Sequence, residues 1–167
     1  FVGWRQYDQA QRAAASATYS AALAQIATDP AAARTELEKQ ASNAVQPYRS
    51  LAALTAAQLR PTLEEQVTAL ATVAPSLSAS ELSDLALVIA AFKSIDTPKA
   101  EEMVARLEPL AGPDRPFRLS ARELQAMLAV RKGDTKRAKE LWNEIAKDPA
   151  VPQGASQRVS AMLNLYG

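Results

Sequence analysis

Asp96-Thr97-Pro98-Lys99-Ala100-Glu101-Glu102-Met103 recurs 38 residues later as Asp134-Thr135-Lys136-Arg137-Ala138-Lys139-Glu140-Leu141. Each copy reads as a helix start, with an aspartate as N-cap and a small residue four positions on. A period of this size marks stacked helical hairpins, in which one supersecondary unit is copied along the chain. Aligning on the phrase puts Ala100 on Ala138, Val104 on Trp142 and Leu107 on Ile145. A further step back of 37 residues puts Val67 and Leu70 on Val104 and Leu107, and Asp29, Ala33 and Leu37 form a fainter first copy. The small residue lets the paired helix approach, and the larger ones fill the gap to the next unit. The expected fold is all-α: a tetratricopeptide-like α-solenoid of about four antiparallel hairpins with a C-terminal capping helix, in one domain over residues 1–167.

The composition agrees. Of 167 residues, 36 are alanine and five are glycine, the best helix former against one of the worst. The net charge is +1, from 19 basic and 18 acidic residues that are interspersed. That leaves no electrostatic footprint for nucleic acid. The basic group Arg131, Lys132, Lys136, Arg137 and Lys139 falls at a helix–helix turn beside Glu140 and Glu144, and reads as solvated. Cysteine and histidine are both absent, which removes thiol catalysis, histidine triads and the usual zinc and haem sites. Glu64-Glu65 and Glu101-Glu102 are the adjacent carboxylate pairs. Neighbours on a helix point about 100° apart and do not share a site, and acid at a helix start is explained by the helix dipole. No catalytic residue, metal or cofactor is expected.

Along the chain, the first helix is expected over about 4–27, with Tyr7, Ala10, Ala14, Ala17, Ala21 and Ala24 on one stripe. That stripe suits close helix approach or partial exposure. Asp29-Pro30 starts a second helix, Pro47 opens a third, and Pro61 opens a fourth with Leu63, Val67, Leu70 and Val73 along its apolar stripe. Ser78, with Glu81 three residues on, is the expected cap of the fifth helix, at about 79–93. Leu82, Leu85, Leu87, Val88, Ile89 and Phe92 make this the most apolar helix and the expected centre of the fold. Asp96 is the expected cap of the sixth, which turns Met103, Val104, Leu107 and Leu110 inward. Gly112-Pro113-Asp114-Arg115-Pro116 is a turn rather than a linker. The seventh helix, about 117–132, closes on Gly133. Asp134 caps the eighth, and the ninth covers 153–165. After the first, lengths of about 12 to 16 residues are expected.

Arg106-Leu107-Glu108-Pro109-Leu110-Ala111-Gly112-Pro113, then Pro116-Phe117-Arg118, Ala121-Arg122-Glu123-Leu124, Gly133-Asp134 and Ala138, together with Tyr48-Arg49-Ser50-Leu51-Ala52 and the start Trp4…Tyr7, resemble the tetratricopeptide-like domain of YfgM-type proteins. The turns Leu59-Arg60-Pro61-Thr62 and Ser94-Ile95-Asp96 lack the family's glycine-aspartate step. The resemblance implies a bacterial inner-membrane protein whose single anchor precedes Phe1 and whose domain faces the periplasm. It implies partners among the Sec translocon and periplasmic folding factors, and no catalytic or metal residues. Independently, the apolar start Phe1-Val2-Gly3-Trp4 followed by Arg5-Gln6-Tyr7 fits a chain leaving a membrane, with Trp4 and Tyr7 membrane-proximal. It equally fits a helix start with buried aromatics.

In such solenoids the first helix of each hairpin lines the concave face. Counting back from each turn gives Glu123, Met127 and Arg131, then Leu85, Ile89 and Lys93, then Tyr48, Ala52 and Ala56. Of these, Tyr48, Leu85, Ile89, Glu123, Met127 and Arg131 are the candidate partner-binding residues. A groove of this composition suits an extended segment or a partner's amphipathic helix, although Leu85 and Ile89 equally suit a plain core. The expectation is a non-enzymatic protein-interaction module, a membrane-tethered adaptor or chaperone-like subunit at the translocon. The alternative is a periplasmic scaffold for envelope assembly or cell division.

Overall fold

The computed structural model describes residues 2–166 and is all-helical, with nine α-helices and no strand among those residues. Phe1, the first residue of the apolar start, lies outside the described residues. The chain groups into two compact units, Phe1–Ala86 and Leu87–Gly167.

The first unit holds α1 (Val2–Gln25), α2 (Pro30–Asn43), α3 (Tyr48–Gln58), α4 (Leu63–Val73) and a single 3₁₀ turn at Ala74–Ser76. Asp29 starts α2, its carboxylate accepting from the Ala32 N–H at 3.0 Å, with Pro30 in the first turn. Consecutive helices pack on one another, and α1 reaches past α2 to touch α3. Ala22, Leu37, Ala52 and Ala56 form the core there, with Tyr19 packed against them. Tyr19 and Thr55 hydroxyls lie 3.0 Å apart, and the Tyr19 ring tilts against Tyr48. Ala52 and Ala56 are therefore core residues and not groove residues. The face of α1 that packs carries Ala15, Tyr19 and Ala22; the stripe from Tyr7 to Ala24 is exposed.

Helix α5 (Ser80–Ser94) gives its first half to this unit and its second half to the next. Its bulky residues are not the centre of the fold. Ala86, Ala90 and Ala91 are buried, whereas Leu82, Leu85, Leu87, Val88 and Ile89 are half-buried and Phe92 is 62% exposed. The small residues of α5 are thus its buried ones, and its large apolar side chains are only partly covered. The Ser78 expectation also fails. Its N–H donates to Ser50 Oγ at 3.0 Å and its hydroxyl accepts from Ser50 at 3.1 Å. The α5 ladder instead begins at the Ala79 carbonyl, which accepts from Ser83 N–H. Leu63, on the apolar stripe of α4, is the first residue of that helix, directly after its cap Thr62, and is 45% exposed.

The second unit adds α6 (Ala100–Ala105), a 3₁₀ turn at Glu108–Leu110, α7 (Arg118–Arg131), α8 (Thr135–Ala146) and α9 (Gln153–Tyr166). Here α6 packs on α7, α7 on α8 and α8 on α9. Ala126, Ala129, Ala138, Leu141, Trp142, Ile145 and Val159 form its core, with Tyr166 stacked on Trp142 at a centroid distance of 5.5 Å. Helix α7 ends in a Schellman motif. Gly133 takes φ +76°, its N–H bonds Val130 O and the Asp134 N–H bonds Ala129 O. Asp134 then caps α8, accepting from Arg137 N–H at 2.9 Å.

The two copies of the repeated phrase diverge at this point. Asp96 does not cap α6; the helix starts only at Ala100, and the Asp96 carboxylate receives Arg131 at 2.8 Å. Capping by Asp96 would place Thr97 in the first helical position, and the following Pro98 disfavours helical backbone there. Thr97 closes its own turn instead, donating to Ser94 O and accepting from Lys99 N–H. Helix α6 is left with 6 residues, well short of the expected length. The packing positions survive this divergence. Ala33, Leu37, Val67, Leu70, Ala100, Val104, Leu107, Ala138, Trp142 and Ile145 are all buried.

Candidate functional site

The second half of α5 sets Ile89 and Val88 three and four residues before Phe92, the steps at which side chains are neighbours on a helix surface. Helix α7 presents Ser120, Glu123, Leu124 and Met127 by the same spacing, and α9 adds Arg158. These residues enclose a groove of about 380 Å³ in the second unit. Its floor is Leu124, which is buried, and its walls are half-buried aliphatic side chains and the Met127 thioether. Phe92 stands at the edge with most of its ring in solvent.

One polar feature bounds the groove. Arg158 Nε and Nη2 donate to the two Glu123 carboxylate oxygens, both at 3.1 Å. That hydrogen bond raises the Arg158 pKa, with the negative charge of Glu123 adding to it and desolvation opposing it. Both groups remain partly exposed, so the pair contributes at most about 1 kcal/mol to stability. It sets a neutralised edge on a surface whose other lining residues, Ser120 apart, are apolar. Methionine is unbranched and polarizable and adapts to different contacting shapes.

Of the sequence-derived candidates, Ile89, Glu123 and Met127 come together here. Arg131 does not: it sits at the end of α7 and donates to the Ile95 carbonyl and to Asp96. Tyr48 and Leu85 belong to the first unit, both half-buried. Lys93 is half-buried outside the lining. Sequence reasoning missed Val88, Phe92, Ser120, Leu124 and Arg158. Counting one line of positions per helix samples one edge of a face. Phe92 lies three residues beyond Ile89, and Leu124 lies three before Met127, so the full i+3/i+4 set holds both. The Arg158–Glu123 fork left no signal in the sequence.

A larger hollow of about 660 Å³ in the first unit is lined by Arg34, Arg60, Pro61, Glu64, Glu65, Thr68 and Ala69. Its charges alternate in sign: Glu38 holds Arg60 at 3.1 Å and Arg34 at 3.7 Å. The basic turn is paired in the same way, Lys132 with Glu101 and Arg137 with Glu140. Glu64-Glu65 and Glu101-Glu102 sit in the first turns of α4 and α6. Among the described residues no three Asp, Glu, His or Cys side chains gather as a metal site, and no helix is long and apolar enough to cross a membrane. Trp4 and Tyr7 lie exposed at the start of α1, with ring centroids 6.4 Å apart. No protein-family model, no curated protein and no solved structure matches this chain.

Proposed function

We propose that this protein is a non-enzymatic interaction module, a tetratricopeptide-like solenoid of helical hairpins that binds segments of other proteins by shape and apolar contact. The observation that carries the reading is the α5–α7–α9 groove, where Phe92 holds an aromatic ring in solvent beside an aliphatic hollow. An exposed ring next to an unfilled apolar surface has a standing hydrophobic driving force toward a partner. The hairpin reading is supported by burial at every repeat-aligned packing position and by the contact of α1 with both α2 and α3.

The setting we propose is the bacterial inner membrane, with the domain tethered on the periplasmic side and serving as an adaptor or chaperone-like subunit of the Sec translocon. It rests on the resemblance to YfgM-type proteins and on the exposure of Trp4 and Tyr7, the residue types that gather where a chain meets a membrane surface. The test is site-specific photocrosslinking from positions 92 and 127 in the host membrane. Translocon subunits or periplasmic folding factors are the expected products. Recovery of envelope-assembly or division proteins replaces the translocon with the scaffold reading. Failure of both positions to capture any protein, while surface positions elsewhere do, sinks the groove as the binding face.

A further inference from the structure

Two ion pairs of the second unit set α5, α7 and α9 in register. Arg131 reaches Asp96 at 2.8 Å and Arg158 reaches Glu123 at 3.1 Å, and each pair spans 35 residues. The same step carries Phe92 to Met127. Both of these side chains line the apolar groove, and the Glu123–Arg158 fork lies in the same lining, with Glu123 four residues before Met127. Four residues of helix rise about 6 Å. An apolar anchor point and a charged one are therefore fixed about one helical turn apart.

The fork is neutral in sum but not in what it shows to solvent. The Glu123 side chain is 31% exposed and the Arg158 side chain 60%. Both Glu123 oxygens accept from Arg158, through Nε and Nη2. A guanidinium carries five N–H groups, so the two on Nη1 and the second on Nη2 stay unused. No other charged side chain lines the groove. The surroundings agree in sign, since residues 87–167 hold 13 basic and 10 acidic side chains.

Resting on the reading of this groove as a docking face for protein segments, we infer that its occupant is an acidic segment. An apolar side chain of the partner sits against Phe92 and Met127, and a carboxylate about one turn away takes the free N–H groups of Arg158. The spacing says where that carboxylate falls in the partner. About 6 Å is one turn of a helix, three or four residues, or two residues of extended chain. Arginine meets carboxylates through planar, paired contacts. Glu123 already holds this guanidinium in orientation, so the incoming carboxylate finds its donors in place. Glu123 also leaves a like charge nearby, which limits the gain to that of an exposed pair. A basic segment meets the exposed cation instead, because both Glu123 oxygens are engaged.

The test is selection of random peptides displayed on phage against the immobilised full chain. It is repeated on Phe92→Ser, on Arg158→Gln and on the swapped pair Glu123→Arg with Arg158→Glu. All three positions are at least partly exposed, so the fold is expected to hold, and helicity checks this. Peptides that bind the wild type are expected to carry Asp or Glu roughly two to four residues from an aromatic or aliphatic anchor. Phe92→Ser loses these peptides altogether. Arg158→Gln keeps the apolar anchors without the acid, and the swapped pair selects Lys or Arg in its place. Replacing the acid of a selected peptide by its amide weakens binding to the wild type about fivefold and leaves binding to Arg158→Gln unmoved. Apolar peptides with no preference for acid, or a preference that survives Arg158→Gln, overturn the inference while leaving the groove as a docking face. Peptides indifferent to Phe92→Ser bring down the docking face and the inference with it.

Discussion

Arg118 grips Asp148 with a two-pronged contact, Nε to Oδ2 at 2.7 Å and Nη2 to Oδ1 at 2.8 Å. It ties the first turn of α7 to the turn between α8 and α9. Asp148 also accepts from the Ala150 N–H and has Arg122 at 3.7 Å. The Arg118 hydrogen bonds, followed by the Ala150 N–H, hold the Asp148 carboxyl down at about 2. The pKa is depressed by folding, so the contribution to stability is complete above the ordinary carboxylate value. It is lost as pH falls from about 4 toward 2. Asp148→Asn is expected to lower stability at neutral pH and to converge on the wild type near pH 2. Urea midpoints measured from pH 7 to pH 2 check this.

The repeated aspartates divide by geometry. Asp134 and Asp29 each cap a helix, so Asp134→Ala and Asp29→Ala are expected to cost about 1 kcal/mol each. Asp96→Ala is expected to cost only a few tenths. Asp96 caps nothing, and its side chain, 88% exposed, makes a surface pair with Arg131. Equal losses in all three, measured by chemical denaturation, contradict the assignment.

Gly133 is the position where the backbone demands glycine. Its φ is +76°, and a Cβ added there meets no atom within 4 Å. The penalty of Gly133→Ala is therefore conformational, about 1 kcal/mol, and appears as a lower urea midpoint without a change in slope.

The small residue of the repeat admits no growth. Ala138 is fully buried against its neighbours, so Ala138→Leu is expected to destabilise by about 1–3 kcal/mol through overpacking. Trp142→Ala, one turn on, opens a void instead and is expected to cost about 3–5 kcal/mol. Thermal unfolding of the two variants separates these magnitudes.

Phe92→Glu tests the groove apart from the fold. Its ring is mostly in solvent, so stability is expected to shift by no more than about 0.5 kcal/mol. Partner capture from position 127 is expected to disappear.

Much of this arrangement was readable from the chain. The 37- and 38-residue registers pick out side chains that are buried in every copy, and Asp29, Asp134 and Gly133 do what their positions in the sequence suggest. These signals depend on a residue and its close neighbours. Asp96 misled because the decisive residue is Pro98, which acts on the backbone before it. Helix α5 misled because apolar periodicity marks a greasy helix without saying which apolar face is covered, and here the buried positions are the alanines Ala86, Ala90 and Ala91. The groove needs α9 beside α7, and the pairing of Arg158 with Glu123 spans 35 residues. No local pattern carries a contact of that range.

Nearly half of the buried apolar side chains are alanines. An alanine has no rotamers to freeze, so ordering such a side chain carries almost no entropy penalty beyond that of the backbone. The same property removes any slack. A leucine core absorbs an error by changing rotamer, whereas a methyl group has no second position to adopt. In this protein the spacing between helices is the adjustable quantity, and a misfit at one buried alanine must be relieved by moving a whole helix.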